Sequence, residues 1–148
     1  MKKILCVLLL LILPACGLAD EYYIICQPDS YVNVRIAPNK NAAVIGRYEL
    51  GQMVKTDGKK RNGFVHLTDL SLENSDGWVS AGFITGELTI DTQTARIGRD
   101  RVACRRSIKG NRRKWLQKGD IVTVFAWSDD WAVTNQGFVM TEFLEVRQ

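Results

Sequence analysis

The chain has little histidine and little cysteine: one histidine, His66, and four cysteines, Cys6, Cys16, Cys26 and Cys104, in 148 residues. Two cysteines beyond the N-terminal segment cannot by themselves form a four-ligand zinc site, and a single histidine adds little. No metal site and no cofactor is expected. The same scarcity limits catalysis, because an activated nucleophile needs a base and an orienting group. His66 lies inside the pattern Phe64-Val65-His66-Leu67 and reads as a solvent-facing or hydrogen-bonded strand residue. Asp129-Asp130 reads as a tight turn before Trp131, not an acid/base pair. No glycine-rich phosphate loop is present, and no length is left for a separate catalytic domain. The chain is therefore not expected to be an enzyme.

Long apolar runs are equally scarce. The one such run, residues 4–13, has ten residues, whereas a transmembrane helix takes about 20. Lys2 and Lys3 precede it, and small residues follow at Ala15, Gly17 and Ala19. A charged start, a short apolar core and small residues near a cut site make a secretory signal peptide. Gly17-Leu18-Ala19 would place the cut before Asp20, giving a signal over residues 1–19 and an exported chain, secreted, periplasmic or cell-surface. Leu13-Pro14-Ala15-Cys16 offers a second reading, a lipoprotein signal with Cys16 acylated, and only that reading brings the chain to a membrane. Proline after the apolar run is atypical of that motif, and the small-residue pattern favours the first cut.

Charge is divided unevenly. Residues 20–90 hold 7 Lys/Arg against 9 Asp/Glu, and residues 91–148 hold 11 against 7. An acidic front and a basic rear imply different partners for the two halves. The basic surface is concentrated in residues 99–118, where nine cations, among them Arg106, Lys109, Arg112, Arg113 and Lys114, meet one acid, Asp100. Such a run is either a solvated loop face or an electrostatic surface for an anionic polymer, a lipid head group or an acidic partner. Nucleic acid is not expected: export argues against it, and the cations do not alternate with aromatics as a stacking platform requires.

What the sequence does have is alternation. Val32, Val34 and Ile36 alternate with Asn33 and Arg35, and short β-rich segments recur between turn-rich stretches such as Thr56-Asp57-Gly58. No stretch of ten residues carries an apolar face at helical spacing, so the chain reads as all-β. It also reads as a repeat. Val32-Asn33-Val34-Arg35 matches Val102-Ala103-Cys104-Arg105, and Leu50-Gly51-Gln52-Met53-Val54 matches Lys118-Gly119-Asp120-Ile121-Val122. Phe64-Val65-His66-Leu67 matches Trp131-Ala132-Val133-Thr134, Gly77-Trp78-Val79 matches Gly137-Phe138-Val139, and Phe83 matches Phe143. From arginine to glycine is 16 residues in one copy and 14 in the other, and from glycine to aromatic 13 and 12. Gly51 and Gly119 mark sharp turns before a strand. The expected units span residues 22–86 and 94–148. The joint over residues 86–95 is short and holds Leu88 and Ile90, so the units are expected to pack together.

Val32-Asn33-Val34-Arg35, Ala37-Pro38-Asn39, Val44-Ile45-Gly46, Leu50-Gly51 and Gly77-Trp78-Val79 resemble the bacterial SH3 domain family. The resemblance covers about residues 24–86 well and about residues 94–146 more loosely, through Val102, Arg105, Gly119, Trp131 and Gly137-Phe138-Val139. It implies two tandem SH3-like barrels of five or six strands. It further implies a binding module outside the cytoplasm that recognises cell-wall peptide or glycan in a shallow aromatic groove between two loops. The alternative is an adaptor that docks another exported protein with an acidic surface through the basic second copy. Groove candidates are Tyr31, Arg35 and Trp78 in copy one and Arg105, Trp127 and Trp131 in copy two, with Phe64, Phe83, Phe138 and Phe143 nearby. Most aromatics are expected in the cores, leaving Tyr31 and Trp127 as the exposed candidates. Both copies depart from the family in their loops: copy one inserts residues 68–76, and copy two replaces the expected Gly-Pro with residues 106–114.

An oxidising compartment would allow Cys26 and Cys104 to pair. The bridge would enclose 77 residues, worth about 4 kcal/mol in the chain-entropy model. Against it, Cys104 takes the inward-facing place of Val34, and a buried thiol of one unit reaches the other poorly.

Overall fold

The computed structural model describes residues 20–68 and 77–146. Residues 1–19, on which the signal and Cys16 readings fall, most of the insertion at 68–76 and residues 147–148 lie outside them. Among the described residues no helix is long and apolar enough to cross a membrane.

The described chain is all-β. Its first half forms β1 (Asp20–Ile24), β2 (Val32–Arg35), β3 (Val44–Tyr48), β4 (Met53–Arg61), β5 (Phe64–Leu67) and β6 (Gly77–Ser80), then a 3-10 turn (Ala81–Phe83) and β7 (Ile84–Thr85). The second half forms β8 (Thr89–Ile97), β9 (Val102–Arg105), β10 (Arg112–Leu116), β11 (Ile121–Trp127), β12 (Trp131–Thr134) and β13 (Gly137–Met140), a second 3-10 turn (Thr141–Phe143) and β14 (Leu144–Val146). Each half is one seven-stranded sheet, ordered β3-β2-β6-β5-β4-β1-β7 and β10-β9-β13-β12-β11-β8-β14. Strand for strand, the two orders are the same. The repeat seen in the sequence is thus a repeat of topology, with seven strands per unit where five or six were expected.

Register carries the match to single residues. Arg35 of β2 lies opposite Trp78 of β6, and Arg105 of β9 lies opposite Phe138 of β13. Asn33 pairs with Arg47 on β3, and Ala103 pairs with Trp115 on β10. Gly51 and Gly119 adopt φ of +86° and +92°, a region closed to most side chains. Each glycine N–H donates to the end of its unit's first strand, Gly51 to the Ile24 carbonyl at 2.9 Å and Gly119 to the Ile97 carbonyl at 2.8 Å. The joint is shorter than the sequence suggested. Residues 89–95 belong to β8, where Thr89 already pairs with Trp127; their run of threonine and isoleucine suits a pleated surface.

Alternating strands fill one core per unit. Ile24, Val34, Val54, Leu67 and Val79 close the first, and Ile97, Val102, Val122, Val124 and Val139 the second. Each such side chain stabilises its unit by about 1.5–3 kcal/mol on burial. A third cluster lies between the units: Ile25, Leu50 and Phe83 from one meet Ala126, Trp131, Val133 and Phe138 from the other. The Phe83 and Phe138 rings meet edge to face, with centroids 6.0 Å apart. Gln27 Nε2 donates to the Thr134 carbonyl at 3.0 Å, and the Ile108 N–H donates to the Gly82 carbonyl at 3.0 Å. The packed arrangement expected from the short joint is present.

Cys26 and Cys104 do not form the disulfide that an oxidising compartment would allow. Cys26 and Cys104 are free and buried, each in the core of its own unit. The Cys26 thiol faces the Ser30 carbonyl at 3.8 Å and the Cys104 thiol faces the Gln136 carbonyl at 3.1 Å. Burial raises the pKa of both. Glu49 adds to the rise at Cys26 against a backbone hydrogen bond from Leu50, while Lys114 and Arg113 oppose it at Cys104. The inward register that makes cysteine a stand-in for Val34 is what keeps the sulfurs apart.

Candidate functional site

The outer face of β10-β9-β13 carries a groove of about 300 Å³ lined by Arg99, Arg101, Arg105, Trp115, Met140 and Phe143. Strand alternation explains it. Val102 and Cys104 of β9 point into the core, so Ala103 and Arg105 point out, beside Trp115 of the neighbouring strand. Trp115 stays 41% exposed. Two guanidinium groups stack on its ring, Arg112 at 4.4 Å and Arg101 at 5.2 Å from the centroid, and Arg99 lies 5.0 Å over Phe143. Each contact at an exposed site is worth about 0.5–1 kcal/mol and holds a long side chain in one orientation.

Among the described residues these arginines have no carboxylate at ion-pair distance. Among the described residues the ion pairs within 4 Å are Lys59–Asp57 at 3.5 Å and His66–Asp57 at 2.9 Å, both in the first unit. Asp100 is spent on the backbone, accepting from the Lys118 N–H at 3.0 Å.

The first unit builds the same corner with the residues exchanged. Tyr31 stands where Arg101 does, directly before the paired valines Val32 and Val102, and Arg47 stands where Trp115 does. Arg47 covers the Tyr31 ring at 4.3 Å. There the corner is not open. The third wall, Phe83, is taken by the second unit, and what remains is a crevice of about 150 Å³ shared by Tyr31, Phe83, Arg105, Arg106, Arg113 and Phe138.

The candidates drawn from the sequence therefore divide. Tyr31, Arg105, Arg106 and Arg113 come together in the crevice, and Tyr31 is 49% exposed, as expected. Arg35 and Arg105 hold loops: Arg35 Nη1 donates to the Ala42 carbonyl at 2.8 Å and Arg105 Nη1 to the Gly110 carbonyl at 2.9 Å. Trp131 is only 7% exposed, closed off by the first unit. Trp127 is not the exposed candidate it seemed; it packs on the second core with its indole N–H buried and without a hydrogen-bond partner. The ring of Trp78 packs on His66, centroids 4.9 Å apart. Lys109 is an exposed loop residue at φ +55°, and Lys114 Nζ donates to Gln136 Oε1. Arg112 lies on the groove through Trp115. Sequence reasoning missed Arg99, Arg101, Met140 and above all Trp115, an aromatic inside the basic run that had been read as lacking alternating aromatics.

His66 is buried and hydrogen-bonded through Nδ1 to Asp57 Oδ2 at 2.9 Å. For Asp57, desolvation opposes ionisation, but the Lys59 N–H, His66 and the Lys59 charge outweigh it and lower the carboxyl below its ordinary value. Among the described residues no group of three or more His, Cys, Asp or Glu could hold a metal ion.

No protein-family model and no curated protein matches the chain. Among solved structures it is similar to NlpC1 and NlpC2 from Trichomonas vaginalis, with 16% and 14% identity and a TM-score of 0.35 in each case. The similarity covers 88% of this chain but 46% and 49% of theirs, so the chain spans about half the length of those proteins. At that level no property of theirs is carried to this chain.

Proposed function

We propose that the chain is an exported binding module of the cell envelope, and that its second unit recognises a carboxylate-bearing cell-wall peptide or glycan in the Trp115 groove. One observation carries the reading: Arg99, Arg101 and Arg112 are stacked on aromatic faces, lack carboxylate partners among the described residues, and border an open groove. A guanidinium held flat on a ring keeps its outward N–H groups ready for a bidentate carboxylate. The exposed face of Trp115 offers a flat apolar surface beside them for a sugar ring or peptide plane. The resemblance to bacterial SH3 domains and the signal-like N-terminus support the compartment and the ligand class. Binding, not catalysis, is the role proposed, with no cofactor.

A second reading rests on β10, which is an edge strand with four exposed side chains, Arg112, Arg113, Lys114 and Trp115. An acidic extended segment of another exported protein would fit that edge by strand addition.

Co-sedimentation of the purified chain with isolated cell wall tests the proposal. Wild type is expected in the pellet at low salt and in the supernatant at high salt, because exposed charges are screened within about 8 Å at physiological ionic strength. Trp115→Ala is expected to abolish sedimentation at every salt concentration with wall stripped of phosphate-linked polymers. Wild-type protein that never sediments, while an acidic peptide binds to it, would favour the adaptor reading.

A further inference from the structure

We infer that the crevice between the two units is a second, composite anion site that takes a phosphoryl group. It lies between the units, whereas the groove belongs to the second unit alone, and Arg105 lines both; it stands apart from the groove assignment. Arg105, Arg106 and Arg113 come from the second unit, and Tyr31 comes from the first. A fourth guanidinium, Arg47, lies over Tyr31 at 4.3 Å. Among the described residues no carboxylate lines the crevice and none of these arginines has an ion pair.

The walls are fixed before any ligand arrives. The Gln27–Thr134 and Ile108–Gly82 hydrogen bonds, both 3.0 Å, tie the units together on either side of the shared apolar cluster. Arg105 is anchored by one nitrogen to the Gly110 carbonyl, leaving the rest of its five-donor fork. A site whose donors are already held loses less entropy on binding.

Charge selects the ligand class. A single carboxylate brings one negative charge and two oxygens. A phosphate monoester brings about −1.5 to −2 and three strong acceptor oxygens, a better match to three arginines lining one crevice. The cavity, about 150 Å³, has room for such a group. The phosphoryl group could belong to free phosphate, to a phosphate-linked wall polymer or to a lipid head group; the chemistry is shared.

The test is thermal unfolding of the purified chain in inorganic phosphate against sodium chloride of equal ionic strength, with sulfate and acetate as further arms. Phosphate, and sulfate as its tetrahedral mimic, are expected to raise the melting temperature to a saturating plateau, while acetate follows chloride. Arg106 and Arg113 are exposed, so R106Q/R113Q is expected to melt like wild type in chloride and to lose the phosphate shift. Trp115→Ala is expected to keep it, which separates this site from the groove. No shift beyond chloride, an equal shift in acetate, or a shift that survives R106Q/R113Q would overturn the inference. Soluble poly(glycerol phosphate) and phosphatidic acid vesicles then distinguish polymer from lipid. Binding to either should be competed by inorganic phosphate and lost in R106Q/R113Q; binding that persists in the variant would overturn the assignment.

Discussion

The two units share strand order, register and turn glycines, yet one presents an open groove and the other does not. In both, a cation–π pair occupies the same two positions, with the partners exchanged: Tyr31 under Arg47 in the first unit, Trp115 under Arg101 in the second. In both, a phenylalanine from the 3-10 turn supplies the third wall. Phe83 of the first unit is pressed against Phe138 of the second, whereas Phe143 keeps only Arg99 above it. In the first unit Asp57 pairs with Lys59 and His66, while among the described residues the second unit's cations have no ion pair. The two corners are equivalent in position; packing one unit on the other narrowed the first to the inter-unit crevice and left the second as the wider groove.

The largest effect should come from breaking the packing that closes the first corner. Trp131→Ala removes the principal side chain of the inter-unit cluster, and buried aromatic-to-alanine changes cost about 3–5 kcal/mol. Urea unfolding should show that loss, and quenching of tyrosine fluorescence by iodide should rise as Tyr31 and its surroundings open. A cost under about 1 kcal/mol would mean that the units do not stabilise one another, since ordinary surface changes stay within ±0.5 kcal/mol.

The turn glycines sharpen the comparison. Either Gly51→Val or Gly119→Val forces a branched residue into positive φ, at about 1–3 kcal/mol. The two should cost about the same, because a Cβ at Gly51 meets only the tip of the exposed Ile90 side chain, which can swing away, and at Gly119 it meets nothing within 4 Å. Both variants should unfold in one transition across residues 20–68 and 77–146, because the shared cluster couples the sheets. Hydrogen exchange by segment reads this; protection lost in one sheet alone would show the units to be independent.

The smallest effect concerns the ion pairs that the second unit lacks. Asp57 has a lowered pKa, so its contribution is present above the unfolded value and is lost as pH falls through the folded one. Stability of the wild type should therefore decline more steeply below about pH 4 than that of Asp57→Asn. Parallel acid unfolding curves would contradict the pairing with His66 and Lys59.

Much of the fold was legible because period-2 alternation and the spacing of glycines and aromatics report directly on strands and turns. The Val32/Val102 and Gly51/Gly119 matches are now matches of register and φ. The groove was legible in principle through the same alignment, since counting along β2/β3 and β9/β10 pairs Tyr31 with Arg101 and Arg47 with Trp115. What hid it was composition: nine cations in residues 99–118 drew attention from the one aromatic among them. Burial of Trp131 was not legible, because it depends on how one unit leans on the other, and no local pattern encodes that; Trp127 packs on its own unit's core. The free cysteines follow from the same limit, since each belongs to its own core.

The central claim is that the second unit's corner is the open one. The direct measurement is an amide and indole NMR titration of the purified chain with soluble, phosphate-free fragments of digested cell wall. The account predicts that the Trp115 indole signal and the amides of Arg99, Arg101, Arg112 and Phe143 shift with ligand while Tyr31 and Arg47 stay in place. Shifts centred on Tyr31 and Arg47 with Trp115 unmoved, or no shift at all, would contradict it.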